Sequence, residues 1–175
     1  MSMKKGNVEM KTRVINNGKN EEKIDKKPIL YIDMDGTIVN FVEAMKHKMT
    51  PEEQALYGDN PDDCPGLFSR MDEYKGAKEA VLRLMDNFDV YILSTAPWKN
   101  PSAWMDKVIW IQTHFGEALE KRLIISHHKN LCQGDFLIDD RPNHGASEFN
   151  GEWIQIHSPK YPSWDSVVEY LESKL

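Results

Sequence analysis

The sequence predicts an α/β fold, a Rossmann-like parallel sheet with helices on both faces and a small helical cap inserted after the first strand. Short continuous apolar runs recur along the chain, and each closes in polar residues, as buried strands feeding loops do. Helical patterns lie between several of these runs, and strands alternating with helices build parallel sheets. The rhythm breaks once, where about 40 residues separate Gly36 from Gly76, too many for a simple connection.

The first run, Ile29-Leu30-Tyr31-Ile32, follows Pro28 and ends in Asp33-Met34-Asp35-Gly36-Thr37. In the interruption, Thr37 to Met49 reads as a helix stopped by Pro51, Glu52 to Tyr57 as a second short helix, and the Pro-, Asp- and Gly-rich Gly58 to Gly66 as a loop. Together they make a cap of about residues 38–75 placed over the strand ends. A helix from about Ala77 to Phe88 sets Ala80, Val81, Leu84 and Met85 on one face. The strand Val90–Leu93 ends in Ser94-Thr95-Ala96-Pro97. A helix from about Ser102 to Phe115 carries Trp104, Val108, Ile111 and Phe115 as a stripe expected to face the core. Leu123–Ile125 ends in Ser126-His127-His128-Lys129, and Phe136–Ile138 in Asp139-Asp140-Arg141-Pro142. Trp153–Ile156 is a weaker fifth strand, and Trp164 to Lys174 a last helix.

The chain has 175 residues, 22 Lys/Arg and 28 Asp/Glu, for a formal charge of −6. Residues 1–27 hold eight of the basic and four of the acidic residues and read as a flexible basic tail without the apolar core of a secretory signal. Residues 28–175 form the domain and are strongly acidic, which argues against a nucleic-acid polymer as partner. No apolar run approaches the ~20 residues that span a bilayer. Cys64 and Cys132 are too few for a disulfide scaffold and lack metal-ligand spacing, which fits a reducing, cytoplasmic setting.

In parallel sheets, ligands bind beyond the carboxyl ends of the strands, where the polar residues named above fall. Asp33 and Asp35 lie two apart at such an end. Carboxylates held this close repel unless a cation lies between them or one keeps a proton. Gly36 permits a sharp turn and close approach to a ligand. An Asp-x-Asp-Gly spacing also opens calcium loops, but the later ligands of an EF-hand are missing, with Ala44 at the twelfth position, and a strand precedes.

Asp33-Met34-Asp35-Gly36-Thr37 resembles the first motif of the haloacid dehalogenase superfamily of phosphohydrolases. Ser94 at a strand end matches the second motif, Lys129 the third and Asp139-Asp140 the fourth, all in order. Within that superfamily the stretch Tyr31–Phe41, Pro65-Gly66-Leu67-Phe68, Gly76–Ala80, Trp110–Gly116 and Gly134–Arg141 is similar to the 5'(3')-deoxyribonucleotidases. The resemblance covers roughly residues 28–175; Thr37-Ile38 stands where that family more often has Val-Leu. It implies Mg²⁺-dependent hydrolysis of a phosphomonoester through an aspartyl-phosphate, with a nucleotide, a deoxyribonucleoside monophosphate, as substrate. Asp33 is then the nucleophile and Asp35 the general acid and base. Ser94, Thr95 and Lys129 bind the phosphate. Asp33, Asp35 through its carbonyl, and Asp140 hold the metal. Asp139 orients a metal-bound water or Lys129, although which of Asp139 and Asp140 touches the ion stays open. Another small phosphorylated metabolite, or a binding protein without turnover, are the alternatives.

Phe41, Phe68 and Trp98 are candidates to stack on a base, with core packing the equal alternative. Trp104 and Trp110 read as core, and the adjacent His127 and His128 as loop or core histidines rather than joint metal ligands. Arg141 is placed to contact the cap or a metal-bound network. So small a cap leaves a site open, so a second subunit, in a homodimer, is a candidate to close it.

Overall fold

The computed structural model describes residues 26–175. The expectation of a flexible tail falls on residues that lie, apart from Lys26 and Lys27, outside this range. Five strands, β1 (Ile29–Ile32), β2 (Asp89–Ser94), β3 (Leu123–Ile125), β4 (Phe136–Asp139) and β5 (Glu152–Gln155), form one parallel sheet in the order β3-β2-β1-β4-β5. β1 is central, and the order reverses between it and β4. Ligands of such sheets bind at that reversal.

Alternation along the strands sorts side chains onto two faces. Leu30, Ile32, Val90, Ile92, Ile138 and Ile154 pack against buried residues of α3 (Ala77–Leu84), α4 (Ser102–Phe115) and α5 (Trp164–Glu172). Tyr31, Leu93 and Leu137 face the other way and are covered by Ala146 and Phe149, at the 3₁₀ turn Ala146–Glu148 and just beyond it. Helical cover on both faces is therefore met by α-helices on one face and 3₁₀ turns on the other.

The excursion between β1 and α3 holds α1 (Phe41–His47), α2 (Pro51–Tyr57) and 3₁₀ turns at Pro61–Asp63 and Leu67–Ser69. α1 begins four residues later than the expected Thr37. Residues 37–39 are folded back onto the first loop, where the N–H groups of Thr37, Ile38 and Val39 all donate to the Met34 carbonyl at 2.9–3.3 Å. The Asn40 side chain then caps the helix by accepting from the Glu43 N–H at 3.1 Å. α2 starts on a reciprocal capping box between Thr50 and Glu53. Glu53 is bound in turn by the Arg70 guanidinium, which also donates to the carbonyls of Lys48 and Gly66. One arginine thereby ties the excursion together.

α4 differs most from its sequence pattern. Ile111 and Phe115 are buried as expected, but Trp104 and Val108 face outward, and the inward row is Ala103, Asp106, Lys107, Trp110 and Ile111. Two charged side chains thus lie on the buried face and correct the Trp104-Val108 stripe. α3 ends at Leu84, short of Phe88, whose N–H still donates to the Leu84 carbonyl.

Leu30 is fully buried at the centre of β1. Leu30→Ala should lower unfolding free energy by about 2–5 kcal/mol in a denaturant titration, with the denaturant slope unchanged.

Candidate active site

Register in the sheet assembles the first pair of carboxylates. Ile32 pairs with Ile138, and beyond them the Asp33 N–H donates to the Ile138 carbonyl at 2.8 Å. Asp33 and Asp139 therefore leave adjacent strands side by side. Lys129 arrives from the loop after β3 and joins them, its Nζ donating to Asp33 Oδ1 at 2.7 Å and to Asp139 Oδ2 at 2.5 Å. All three are buried. The Lys129 backbone is fixed by its own N–H, which donates to the His144 carbonyl at 2.8 Å.

A second lysine does the same for the next carboxylate. Lys107, fully buried on α4, donates to Asp35 Oδ2 and, at 3.1 Å, to Ser94 Oγ. Lys107 was not among the residues singled out from sequence. Its signal was there, a lysine between Ala103 and Trp110 on the inward side of an apolar helix. Ser94 is fully buried under this contact, while the cavity beside it is lined by Thr95, whose hydroxyl donates to the Ser126 carbonyl at 2.8 Å.

Asp140 sits across the Asp35–Gly36 turn. Gly36 has φ +79°, and a Cβ there would fall on the Asp140 carboxylate, so only glycine serves the position on both counts. Among the described residues, Asp33, Asp139 and Asp140 form a group whose carboxylate oxygens lie within 4.8 Å of one another. Asp139 spends its oxygens on Lys129 and on the Arg141 N–H at 3.0 Å. Asp140 Oδ1 is buried with no hydrogen-bond partner, and so is Asp35 Oδ1. An anionic oxygen in that condition is costly unless a cation or a proton meets it.

The electrostatics say the same. Asp33, Asp35, Asp139 and Asp140 face Lys107 and Lys129, and the more exposed Arg141 reaches Asp140 Oδ2 with its Nε at 3.4 Å, three positive charges for four negative. Burial raises the Asp35 carboxyl above its ordinary range against the pull of Lys107, and Asp33 adds to the rise. Burial and the charge of Asp33 push Asp139 up to about 7, and burial pushes Asp140 up to about 6. Burial works against the charge of Lys129, yet Asp33 and Asp139 outweigh it and hold its pKa above the ordinary value.

Asp33, Asp35, Asp139 and Lys129 form the floor of a cavity of about 420 Å³. Phe41, Phe68 and Asp62 wall it from the excursion, Pro97 and Trp98 from the loop after β2, and His127, Arg141 and His144 from the loops after β3 and β4. All three aromatic candidates reach it. Phe68 is buried and stacks on Phe41 at 5.5 Å, so it packs the core as well, whereas Trp98 is 80% exposed. His127 donates from Nε2 to the Ala96 carbonyl at 2.8 Å, since a carbonyl only accepts, and His128 is exposed. Trp110 is core, but Trp104 is exposed, correcting its reading as core. Cys64 is buried, Cys132 is partly so, and both are free.

A parallel sheet that gathers acids and a lysine at its strand ends is the architecture of the haloacid dehalogenase-like hydrolases. The fold matches that of the HAD-hydrolase YfnB from Bacillus subtilis, solved bound to magnesium, with a TM-score of 0.60 over 84% of this chain and 99% of that one at 12% identity. Within that class the sequence is more specific. Residues 53–162 match the model of the 5' nucleotidase, deoxy (pyrimidine), cytosolic type C protein family. A protein of Vibrio phage KVP40 that carries the name 5'(3')-deoxyribonucleotidase is 47% identical over 148 residues, covering 85% of this chain and 86% of its own. One of the same name from Staphylococcus epidermidis is 34% identical over 138 residues, 74% of this chain and 75% of its own. The chain belongs to this deoxyribonucleotidase family of HAD phosphohydrolases.

Asp139 and Asp140 bind protons more tightly folded than unfolded, at about 7 and about 6 against an ordinary 3.8. Their protonation therefore stabilises the fold fully below about pH 4, and that stabilisation is lost as pH rises through 6 and 7. In EDTA, the thermal midpoint should fall between about pH 5 and about pH 7.5, by roughly 2–4 °C per kcal/mol lost. A flat or rising midpoint would contradict the raised values.

Proposed function

We propose that this chain hydrolyses the phosphate ester of 5'(3')-deoxyribonucleoside monophosphates in the cavity above Asp33. The observation that carries the reading is the buried cluster itself, a carboxylate pinned by Lys129 at the end of β1 with a second carboxylate, Asp35, pinned by Lys107 beside it. The names of the family and of its relatives supply the nucleotide; the aromatic walls of the cavity suit a base.

The donor set fits a hard divalent cation such as Mg²⁺. It is all oxygen, its acids outnumber its lysines, and Asp140 Oδ1 points at no protein partner. Asp33, Asp140 and the Asp35 carbonyl would hold the ion, leaving Asp139 to position Lys129. When bound, the ion supplies positive charge against the anionic phosphate.

Asp33 attacks phosphorus and the ester oxygen departs, leaving an aspartyl-phosphate. Lys129 keeps Asp33 aimed and balances charge on the phosphate oxygens. Asp35 donates a proton to the departing alcohol, then takes one from the water that releases phosphate from Asp33. Its raised pKa makes it a competent acid, and Lys107 limits the rise so that it can also act as base. Thr95 lines the cavity beside the phosphate position, while Ser94, buried beneath it, accepts from Lys107. The excursion of about residues 38–75 serves as the cap, bringing Phe41, Asp62 and Phe68 over the strand ends.

A phosphate-release screen with Mg²⁺ across 5' and 3' nucleotides and sugar phosphates should give the highest kcat/KM on deoxyribonucleoside monophosphates. Preference for a sugar phosphate would move the function to another small metabolite, and no turnover at all would leave a binding protein. Asp33→Asn should lose on the order of 10⁴-fold or more in kcat. Asp35→Asn should lose roughly 10²–10⁴-fold on nucleotides but much less on esters with good leaving groups. EDTA should abolish turnover, and Mg²⁺ should restore it.

A further inference from the structure

The cavity over Asp33 adjoins a second hollow of about 480 Å³ on its outer side. Phe41, Asp62, Pro97 and Trp98 line both, so they stand at the junction, whereas none of the floor residues reaches the outer hollow. Three of these four side chains are apolar. Asp62 is the one that can hydrogen-bond.

The fold holds Asp62 in that place. It lies in the 3₁₀ turn Pro61–Asp63, whose proline fixes the backbone entering the turn. Its carbonyl accepts from the amide of Asn100 at 2.9 Å, and Asn100 is buried. The residue itself is exposed to the opening. Arg141, whose charge acts on it, makes its ion pair with Asp140 instead, at 3.4 Å. A surface acid left to water needs no such anchoring. Ligand sites, by contrast, combine apolar walls with a few placed polar groups that fix orientation.

We propose that Asp62 chooses among bases by accepting hydrogen bonds from the base edge turned toward it, so that guanine is the preferred base. The inference rests on the nucleotide reading of the site. Aromatic faces such as Phe41 and Trp98 stack on any base and so do not choose. The choice falls to whatever hydrogen-bonds the edge, and a carboxylate only accepts. Guanine presents N1–H and its 2-amino group side by side, a match for two carboxylate oxygens. Cytosine and adenine each present one amino group. Thymine presents N3–H between two carbonyl oxygens, which a carboxylate repels. The outer hollow adds Asp59 and Asp63 against Lys99, so its field also favours donors over acceptors.

The test is kcat/KM with Mg²⁺ for dGMP, dIMP and dTMP on the full chain and on Asp62→Asn. The wild-type protein should favour dGMP over dTMP by about 10-fold or more, the discrimination of a good bidentate pair. It should also favour dGMP over dIMP, which differs only in lacking the 2-amino group. Asparagine both donates and accepts, as the edge of thymine requires. Asp62→Asn should therefore lower the dGMP/dTMP ratio by about 10-fold or more. A ratio taken on one protein cancels any loss common to all substrates, and circular dichroism confirms that the variant is folded. Equal rates on the three nucleotides, a preference for dTMP, or a ratio indifferent to Asp62→Asn would each overturn the inference while leaving the nucleotidase reading intact. Failure of every nucleotide to turn over would overturn both.

Discussion

The structure turns on an excess of negative charge at the end of a buried parallel sheet. Two lysines and four aspartates meet where β1, β2 and β4 end, and most of these side chains are out of reach of water. Removing ions from water costs several kcal/mol each, and pairing offsets this only with good geometry. Here each lysine is shared, Lys129 between Asp33 and Asp139, Lys107 between Asp35 and Ser94, and Asp140 is left with one oxygen unmet. Burial is the main cause that raises Asp35, Asp139 and Asp140, and the negative charge of Asp33 adds to it.

Much of the remaining architecture serves to hold this arrangement. The sheet register places Asp33 beside Asp139, and the left-handed Gly36 leaves room for Asp140. The excursion is clamped to the loop after β2 by Asn100, a buried side chain whose amide donates to the carbonyls of Asp62 and Cys64 at 2.9 and 3.0 Å. Ser102 at the start of α4 accepts from the Gly66 N–H at 3.0 Å. The cavity walls are thus fastened to the element that delivers Lys107.

The parts of the site legible in the sequence were those a strand end announces. Asp33, Asp35, Ser94, Lys129, Asp139 and Asp140 each follow a short apolar run, and a parallel sheet collects the ends of such runs whatever the loops between them do. The five strands were readable for the same reason, since a doubly buried strand is a continuous apolar word. Helix faces were less legible. The period of α4 fits two overlapping stripes, Trp104-Val108-Ile111-Phe115 and Ala103-Lys107-Trp110-Ile111, and hydrophobicity favours the first. What decides for the second is the demand of Asp35 for a cation, a contact 72 residues away in sequence. The start of α1 was hidden likewise, because residues 37–39 are held by one carbonyl, that of Met34, rather than by their own helical propensity.

The most direct test of the central claim is calorimetric. Mg²⁺ titrated into metal-free protein at about pH 6, in buffers of different ionisation enthalpy, reports both the ion bound and the protons it displaces. If the cluster at the strand ends holds more acid than base, with Asp139 at about 7 and Asp140 at about 6, one ion should bind per chain and release protons to the buffer. Asp140→Asn should weaken that binding strongly. Binding with no proton release, or no binding at all, would contradict a site whose charge is balanced by protons until a divalent cation replaces them.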